Sequence, residues 1–119
     1  MDFVFEYGFD VKKGKSKQFQ EWMRANEERL AKGAPAGWEY IGTYAAVIST
    51  EKEAGEFRQL WRMESYGAQD TFAAAMSQGG EFAQAMDEMS TEFIDDERGA
   101  PFSQSIMKSV TDLSIWGEE

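Results

Sequence analysis

The first segment of the chain alternates between aromatic residues and smaller or charged ones. Aromatic side chains occupy every second position over residues 3–9, which places them on one face of a β-strand. After a turn at Gly14, apolar residues recur at helical spacing. These residues are Phe19, Trp22, Met23 and Leu30. Lys32 and the following Gly33 are typical of a helix end. The pattern therefore predicts a strand over residues 3–9 and a helix from Ser16 to Lys32.

The next segment predicts two strands that form a hairpin. Residues 38–48 are rich in aromatic and β-branched side chains and predict one long strand from Trp38 to Ile48. Residues 57–64 alternate Phe, Gln, Trp and Met with Arg, Leu, Arg and Glu, which predicts another strand. Because the polar residues 49–55 separate the two, we expect antiparallel pairing.

The second half of the chain predicts more helix and a last strand. A short helix is expected around Phe72, and Gly79 and Gly80 interrupt it. A second amphipathic helix follows and is expected to end near Gly99. Its apolar positions are Phe82, Ala85, Met86, Met89 and Phe93. Residues 102–116 predict a final strand, from Phe102 to Trp116.

The order of these elements predicts the fold class. A β-α-β-β-α-β order is the ferredoxin-like α+β arrangement, with a four-stranded antiparallel sheet and helices on one face. At 119 residues we expect a single domain over residues 1–119. Because so aromatic a sheet would leave an apolar second face bare, we expect two copies to pack face to face as a homodimer.

Composition and charge exclude several classes of function. The chain has no His and no Cys, which excludes a Ser/His/Asp triad, a cysteine nucleophile, a structural zinc site and a thiolate-held iron–sulfur cluster. With 12 basic and 22 acidic residues its net charge is −10, so we expect no nucleic acid partner. No apolar run is long enough for a membrane span, and the acidic start is unlike a secretory signal. We expect a cytoplasmic protein with no membrane partner.

The aromatic strands and turn glycines carry a resemblance to a known superfamily. The features are the strand from Phe3 to Phe9, Gly14 before the first helix, Trp38 to Tyr44, and the run from Leu60 to Tyr66 that ends the third strand. Together they resemble the dimeric α+β barrel superfamily, and its NIPSNAP-like branch most. The resemblance implies a homodimer with a cavity between helices and sheet. The superfamily includes cofactor-free antibiotic-biosynthesis monooxygenases, haem-degrading enzymes and muconolactone isomerases. The absence of His departs from the haem-degrading branch.

Four residues are candidates for lining such a cavity. Asn26 lies on the same helical stripe as Trp22, and a buried amide needs a partner. One interpretation is a hydrogen bond to nearby backbone; the other is a ligand-orienting amide beside Trp22, Tyr7 and Tyr40. Such a set would resemble the Asn/Trp/Tyr pockets of cofactor-free monooxygenases.

A second set of candidates lies on the third strand. Arg62 and Glu64 share a strand face with Arg58. They form either cross-strand ion pairs at the dimer rim or a charged pocket floor, in which Arg62 binds an anionic group and Glu64 is a base.

Acidic residues recur along the second amphipathic helix of the second half of the chain, and such a row could form a metal site. Glu88, Glu92 and Asp96 are spaced by four, but the apolar stripe takes the inward positions, so we expect a solvated outer face and no metal site. We expect no cofactor.

Two functions stay open. One is a cofactor-free oxygenase or isomerase that acts on an aromatic or polyketide-like compound. The other is a non-catalytic module that binds a metabolite or another protein.

Overall fold

A four-stranded antiparallel sheet carries three helices on one face. The computed structural model describes residues 3–50, 55–95 and 102–108. The elements in chain order are β1 (Phe3–Phe9), α1 (Ser16–Lys32), β2 (Trp38–Ala45), β3 (Phe57–Met63), α2 (Ala68–Gln78), α3 (Glu81–Glu92) and β4 (Phe102–Lys108). The strand order across the sheet is β2-β3-β1-β4. This is the ferredoxin-like α+β arrangement that the sequence predicts, with both β2–β3 and β1–β3 antiparallel.

The core lies between the sheet and the helices. Phe19 of α1 packs edge-on against Phe9 of β1, with ring centroids 5.6 Å apart. Phe82 of α3 contacts Trp61 of β3 in the same geometry, also at 5.6 Å. Nearly all the sheet aromatics point to this helix-covered face, so burial of their rings is the main stabilisation.

The opposite face of the sheet, here called the open face, corrects an expectation. Apart from Tyr44, its side chains are apolar, charged or small rather than aromatic, and no helix in the described ranges packs on it. It comprises Val4, Glu6, Gly8, Glu39, Tyr44, Arg58, Leu60, Arg62, Ser105 and Met107. Glu6 and Arg58 form one ion pair at 3.4 Å, and Glu39 and Arg62 another at 3.1 Å. The face expected to be apolar is therefore only partly so, because charged residues alternate with apolar ones along these strands.

The predicted end of β2 is also wrong. β2 ends at Ala45 rather than Ile48, and the side chains of Val47 and Ile48 are more than 90% exposed. The register pairs Ala45 with Phe57, where β3 begins, so β-branched residues beyond it have no partner strand.

The last helix is shorter than predicted because its end is captured by another segment. α3 stops at Glu92 rather than near Gly99. The next residue, Phe93, accepts a hydrogen bond from the Lys12 backbone N–H at 2.8 Å, and Ile94 bridges to Val11. β4 is described over Phe102–Lys108. The predicted continuation to Trp116 lies outside the described residues.

Candidate functional site

A cavity of about 270 Å³ lies between the sheet, α2 and α3. It lies between helices and sheet, as the resemblance implies. Its walls come from all four strands and from both of these helices. The lining residues are Phe5, Tyr7, Trp38, Trp61, Gln69, Phe72, Met76, Met86, Ser90 and Gln104.

Most of the wall is aromatic and rigidly packed. Trp38 contacts Phe5 edge-on at 5.5 Å, Phe72 at 5.1 Å and Trp61 at 6.0 Å between ring centroids. The Trp38 indole nitrogen also donates a hydrogen bond to the Ala68 carbonyl at 2.7 Å. Ring contacts and a hydrogen bond therefore hold Trp38 in place in the cavity wall.

The polar groups of the cavity are few and uncharged. Among the described lining residues, none is an Asp, Glu, Lys or Arg. Tyr7 is buried, and burial raises the pKa of its phenol above the ordinary 10, against the opposing effect of a hydrogen bond with Ser90. Tyr7 is therefore a neutral phenol at physiological pH. Gln69 and Gln104 add amide groups. The described wall can present hydrogen-bond donors and acceptors, and none of its residues carries a counter-charge for an ionic ligand.

Of the candidates from the sequence, Tyr7 lines this cavity and the others lie elsewhere. The Asn26 amide nitrogen donates to the Trp22 carbonyl at 2.8 Å, and its oxygen accepts from Arg29 at 2.9 Å. Both ends of the amide are therefore engaged by protein groups of α1. Trp22 packs against Phe93 at 6.0 Å, also outside the cavity lining.

Tyr40 stands behind the cavity wall. Its ring packs edge-on against Trp61 at 5.1 Å, and its hydroxyl lies 2.9 Å from a Glu27 carboxylate oxygen and 2.7 Å from the Thr43 hydroxyl. Burial is the main cause that raises the pKa of Tyr40 far above its ordinary value. Its hydroxyl is therefore occupied by protein partners.

Arg62 and Glu64 do not form a pocket floor. Arg62 is on the open face and pairs with Glu39 at 3.1 Å. Glu64 is exposed and follows the end of β3, where its backbone N–H donates to the Gly37 carbonyl at 2.9 Å. The two residues therefore do not share a strand face, because β3 ends at Met63.

Sequence reasoning missed most of the cavity wall. The period-two pattern already places Phe5 with Tyr7 and Trp38 with Tyr40 on one face, so the sheet residues carried a usable signal. No sequence signal identified the wall residues from the helices, Phe72, Met76 and Ser90. Their positions in the wall depend on how α2 and α3 cross the sheet.

The acidic row on α3 is partly an interhelical contact. Glu88 forms a two-pronged ion pair with Arg29 of α1, with N–O distances of 2.8 and 3.0 Å. Arg29 also bonds Glu81. The expectation of a simply solvated face is therefore wrong for Glu88, which pairs with Arg29. Asp96 lies outside the described residues. Within the described ranges, no three Asp, Glu, His or Cys side chains group closely enough to hold a metal ion.

A second groove lies between α1 and the end of β2. Its volume is about 360 Å³. The side chains of Glu27 and Thr43 are part of its wall. The same two residues bond Tyr40, whose ring packs against Trp61 of the cavity wall.

Comparison with solved structures identifies the fold. A NIPSNAP family protein from Agrobacterium tumefaciens superposes with a TM-score of 0.66 at 13% identity, over 95% of this chain and 89% of that one. The chain has the fold of the NIPSNAP proteins. A dimeric ferredoxin-like protein of unknown function from Thermobifida fusca gives 0.59 at 12% identity, over 92% of both chains.

An enzyme is among the structural neighbours. SnoaB, a cofactor-independent oxygenase from Streptomyces nogalater, matches with a TM-score of 0.55 at 12% identity, over 95% of this chain and 97% of that one. At such low identity these likenesses establish the fold and leave the activity open. No family model and no curated protein sequence matches the chain. No helix in the described part of the chain has the length and apolar character needed to cross a bilayer.

Proposed function

We propose that the protein binds a small, uncharged aromatic compound in the cavity between the sheet, α2 and α3, and that it does so as a homodimeric barrel of one domain. The observation that carries the proposal is a wall of five aromatic side chains with neutral polar groups among them. A void of about 150 Å³ holds one benzene ring, so about 270 Å³ has room for roughly two fused rings. Binding sites of this kind combine apolar walls with a few polar groups that orient the ligand.

The open face supports the homodimer. Its two ion pairs, Glu6–Arg58 and Glu39–Arg62, balance two acidic charges with two basic ones, although the whole chain carries −10. Val4, Leu60 and Met107 lie in the same face, and the Met107 side chain is 49% exposed. A charge-balanced face with apolar residues can meet its own copy across a twofold axis. A neighbour with this fold is named as dimeric.

Ligand binding is tested with a matched pair of compounds. Naphthol is neutral and of the right size, whereas naphthoate has the same rings with a carboxylate that no described residue of the cavity wall can neutralise. We expect naphthol to raise Tm and quench tryptophan fluorescence, and naphthoate to do neither. If a panel of neutral one- to three-ring phenols and anthrones gives no response, or naphthoate responds equally, the proposal fails.

A pair of variants then locates the site. Ser90→Leu places a larger apolar side chain in the cavity wall, and Thr91→Leu makes a similar change at the next position of α3, which is not part of the described lining. We expect Ser90→Leu to abolish the naphthol response and Thr91→Leu to keep it. Equal responses from both variants would place the ligand elsewhere.

A cofactor-independent oxygenase is the second candidate, and the likeness to SnoaB favours it. Proton removal from a substrate needs a base within hydrogen-bond reach, and the described cavity wall has no carboxylate. We therefore expect anthrone-type compounds to bind without oxygen uptake. Uptake that needs the protein and disappears in Ser90→Leu would instead establish the oxygenase.

The alternative of a pure protein-interaction module is less favoured, since such a module would have a filled interior.

A further inference from the structure

Gln59 is an unusual residue in the core. It is fully buried, and no other polar side chain in the described ranges is. A leucine or methionine of similar volume would fill the same space without a polar group to satisfy, so burial of the amide costs free energy unless it is hydrogen-bonded. The hydrogen bonds that satisfy it connect the cavity wall to the protein surface.

The bonds form a chain of five residues. The Trp61 indole N–H, in the cavity wall, lies 2.9 Å from the Gln59 amide oxygen. The Gln59 amide nitrogen lies 3.2 Å from the Thr43 hydroxyl. From there the chain passes to the Tyr40 hydroxyl at 2.7 Å and to an exposed carboxylate, that of Glu27, at 2.9 Å.

The donors in this chain all point the same way. An indole N–H can only donate, so Gln59 must turn its oxygen to Trp61 and its NH₂ to Thr43. A carboxylate can only accept, so Tyr40 gives its single proton to Glu27. The Thr43 hydroxyl is therefore the donor to Tyr40. Each bond polarises the next, and the chain ends on a negative charge.

We infer that Glu27 is a positioning residue for the ligand cavity: through Tyr40, Thr43 and Gln59 it holds the Trp61 indole in the orientation that forms the cavity wall. Trp61 is 1% exposed and makes edge-on contacts with Trp38, Tyr40 and Phe82. A rotation of its ring would therefore change the wall as a whole. The consequence for ligands rests on the proposed function, whereas the hydrogen-bond chain itself does not.

The test reads the indole directly in the ligand-free protein. In ¹⁵N-labelled protein each of the four tryptophans gives one indole N–H signal, assigned by single Trp→Phe variants at the other three positions. Glu27→Gln removes the terminal charge, and Glu28→Gln makes the same change one residue along α1, at a side chain that is 84% exposed. We expect Glu27→Gln to move the Trp61 proton upfield, towards a weaker hydrogen bond, and Glu28→Gln to leave it in place.

Two controls separate positioning from a general loss of stability. The Trp38 indole bonds the Ala68 carbonyl, outside the chain, but its ring contacts Trp61, so its signal should move less than that of Trp61 in Glu27→Gln. Thr43→Val breaks the chain at constant shape, and Thr43→Ser preserves the hydroxyl. We expect the valine variant to move the Trp61 signal and the serine variant to restore it. Equal effects of Glu27→Gln and Glu28→Gln, or of the two Thr43 variants, would overturn the inference, as would a shift of Trp38 as large as that of Trp61.

Ligand affinity gives a separate readout. We expect naphthol to bind Glu27→Gln roughly twofold to tenfold more weakly than the wild type, the equivalent of one ordinary hydrogen bond. A moving Trp61 signal with no naphthol binding to the wild type would leave the chain standing and defeat the proposed function. Naphthol binding with an unmoved Trp61 signal would do the reverse.

Discussion

Arg29 of α1 and Glu88 of α3 form a two-pronged ion pair that joins the two halves of the fold. The guanidinium N–O distances are 2.8 and 3.0 Å, and the side chains are 24% and 44% exposed. α1 belongs to the first crossover of the sheet and α3 to the second. Hydrogen bonds from Arg29 are the main cause that holds the pKa of Glu88 below its ordinary value.

The ion pair predicts a pH-dependent stability. Because the Glu88 pKa is lowered by folding, its contribution is complete above the unfolded pKa of about 4.3 and is lost as the pH falls through the folded value. We expect Glu88→Gln to cost about 1 kcal/mol at pH 7 and nothing in strong acid. Urea unfolding from pH 2 to 7 measures this. Glu92→Gln, at an exposed position one turn further along α3, is the control, and an equal loss there would count against the pair.

Buried phenols predict the opposite trend in alkali. Folding raises the pKa of Tyr7 and of Tyr40, in both cases mainly through burial. Their contribution is therefore complete below the unfolded pKa of about 10 and is lost as the pH rises through the folded values. We expect the free energy of unfolding to fall above about pH 10, with a shallower slope in Tyr7→Phe and Tyr40→Phe. Tyr66, which is 64% exposed, supplies the control variant Tyr66→Phe, whose slope should match the wild type.

Two glycines with similar backbone angles should respond differently to alanine. Gly14 has φ +81° and Gly55 has φ +91°. A Cβ at Gly14 would meet nothing within 4 Å, whereas one at Gly55 would lie 2.6 to 2.7 Å from the backbone of Phe9. Gly14→Ala should cost about 1 kcal/mol from backbone strain alone, and Gly55→Ala more than about 2 kcal/mol. Thermal and urea unfolding compare them, and equal costs would show that the Phe9 backbone gives way.

The open face predicts the outcome of a charge reversal. Arg62→Glu sets a second carboxylate beside Glu39, within the proposed dimer interface, whereas Arg24→Glu makes the same change on exposed α1. We expect sedimentation equilibrium to show the wild type and Arg24→Glu as dimers and Arg62→Glu as a weakened dimer or monomer. Naphthol binding should survive in Arg62→Glu if the cavity is built within one chain. A monomeric wild type at micromolar concentration would defeat the dimer.

The helix boundaries show where local patterns suffice. α1 runs from Ser16 to Lys32 as predicted, because its apolar spacing and its stop at Gly33 are both local properties. The Gly33 N–H bonds the Arg29 carbonyl at 3.1 Å and closes the last turn. The end of α3 was mispredicted because it depends on Val11 and Lys12, about 80 residues away along the chain.

The candidate site shows where local patterns fail. Asn26 lies on the apolar stripe of α1, yet its partners are the Trp22 carbonyl and Arg29 rather than a ligand. For Arg62 two roles were open, a cross-strand ion pair and an anion-binding pocket floor. The structure shows the ion pair, with Glu39. A sequence states that a polar group needs a partner, but the choice among partners is made by packing.

The sequence by itself determined the type and order of the helices and strands and which side chains share a face of the sheet, since periods of 2 and 3.6 are properties of the local backbone. Only the tertiary structure decided that α2 and α3 leave a cavity beside Trp38 and Trp61. It also decided that Gln59 connects Trp61 to Glu27. Both depend on distances between elements remote in the chain, and those distances follow from how side chains of different sizes fit together in the core.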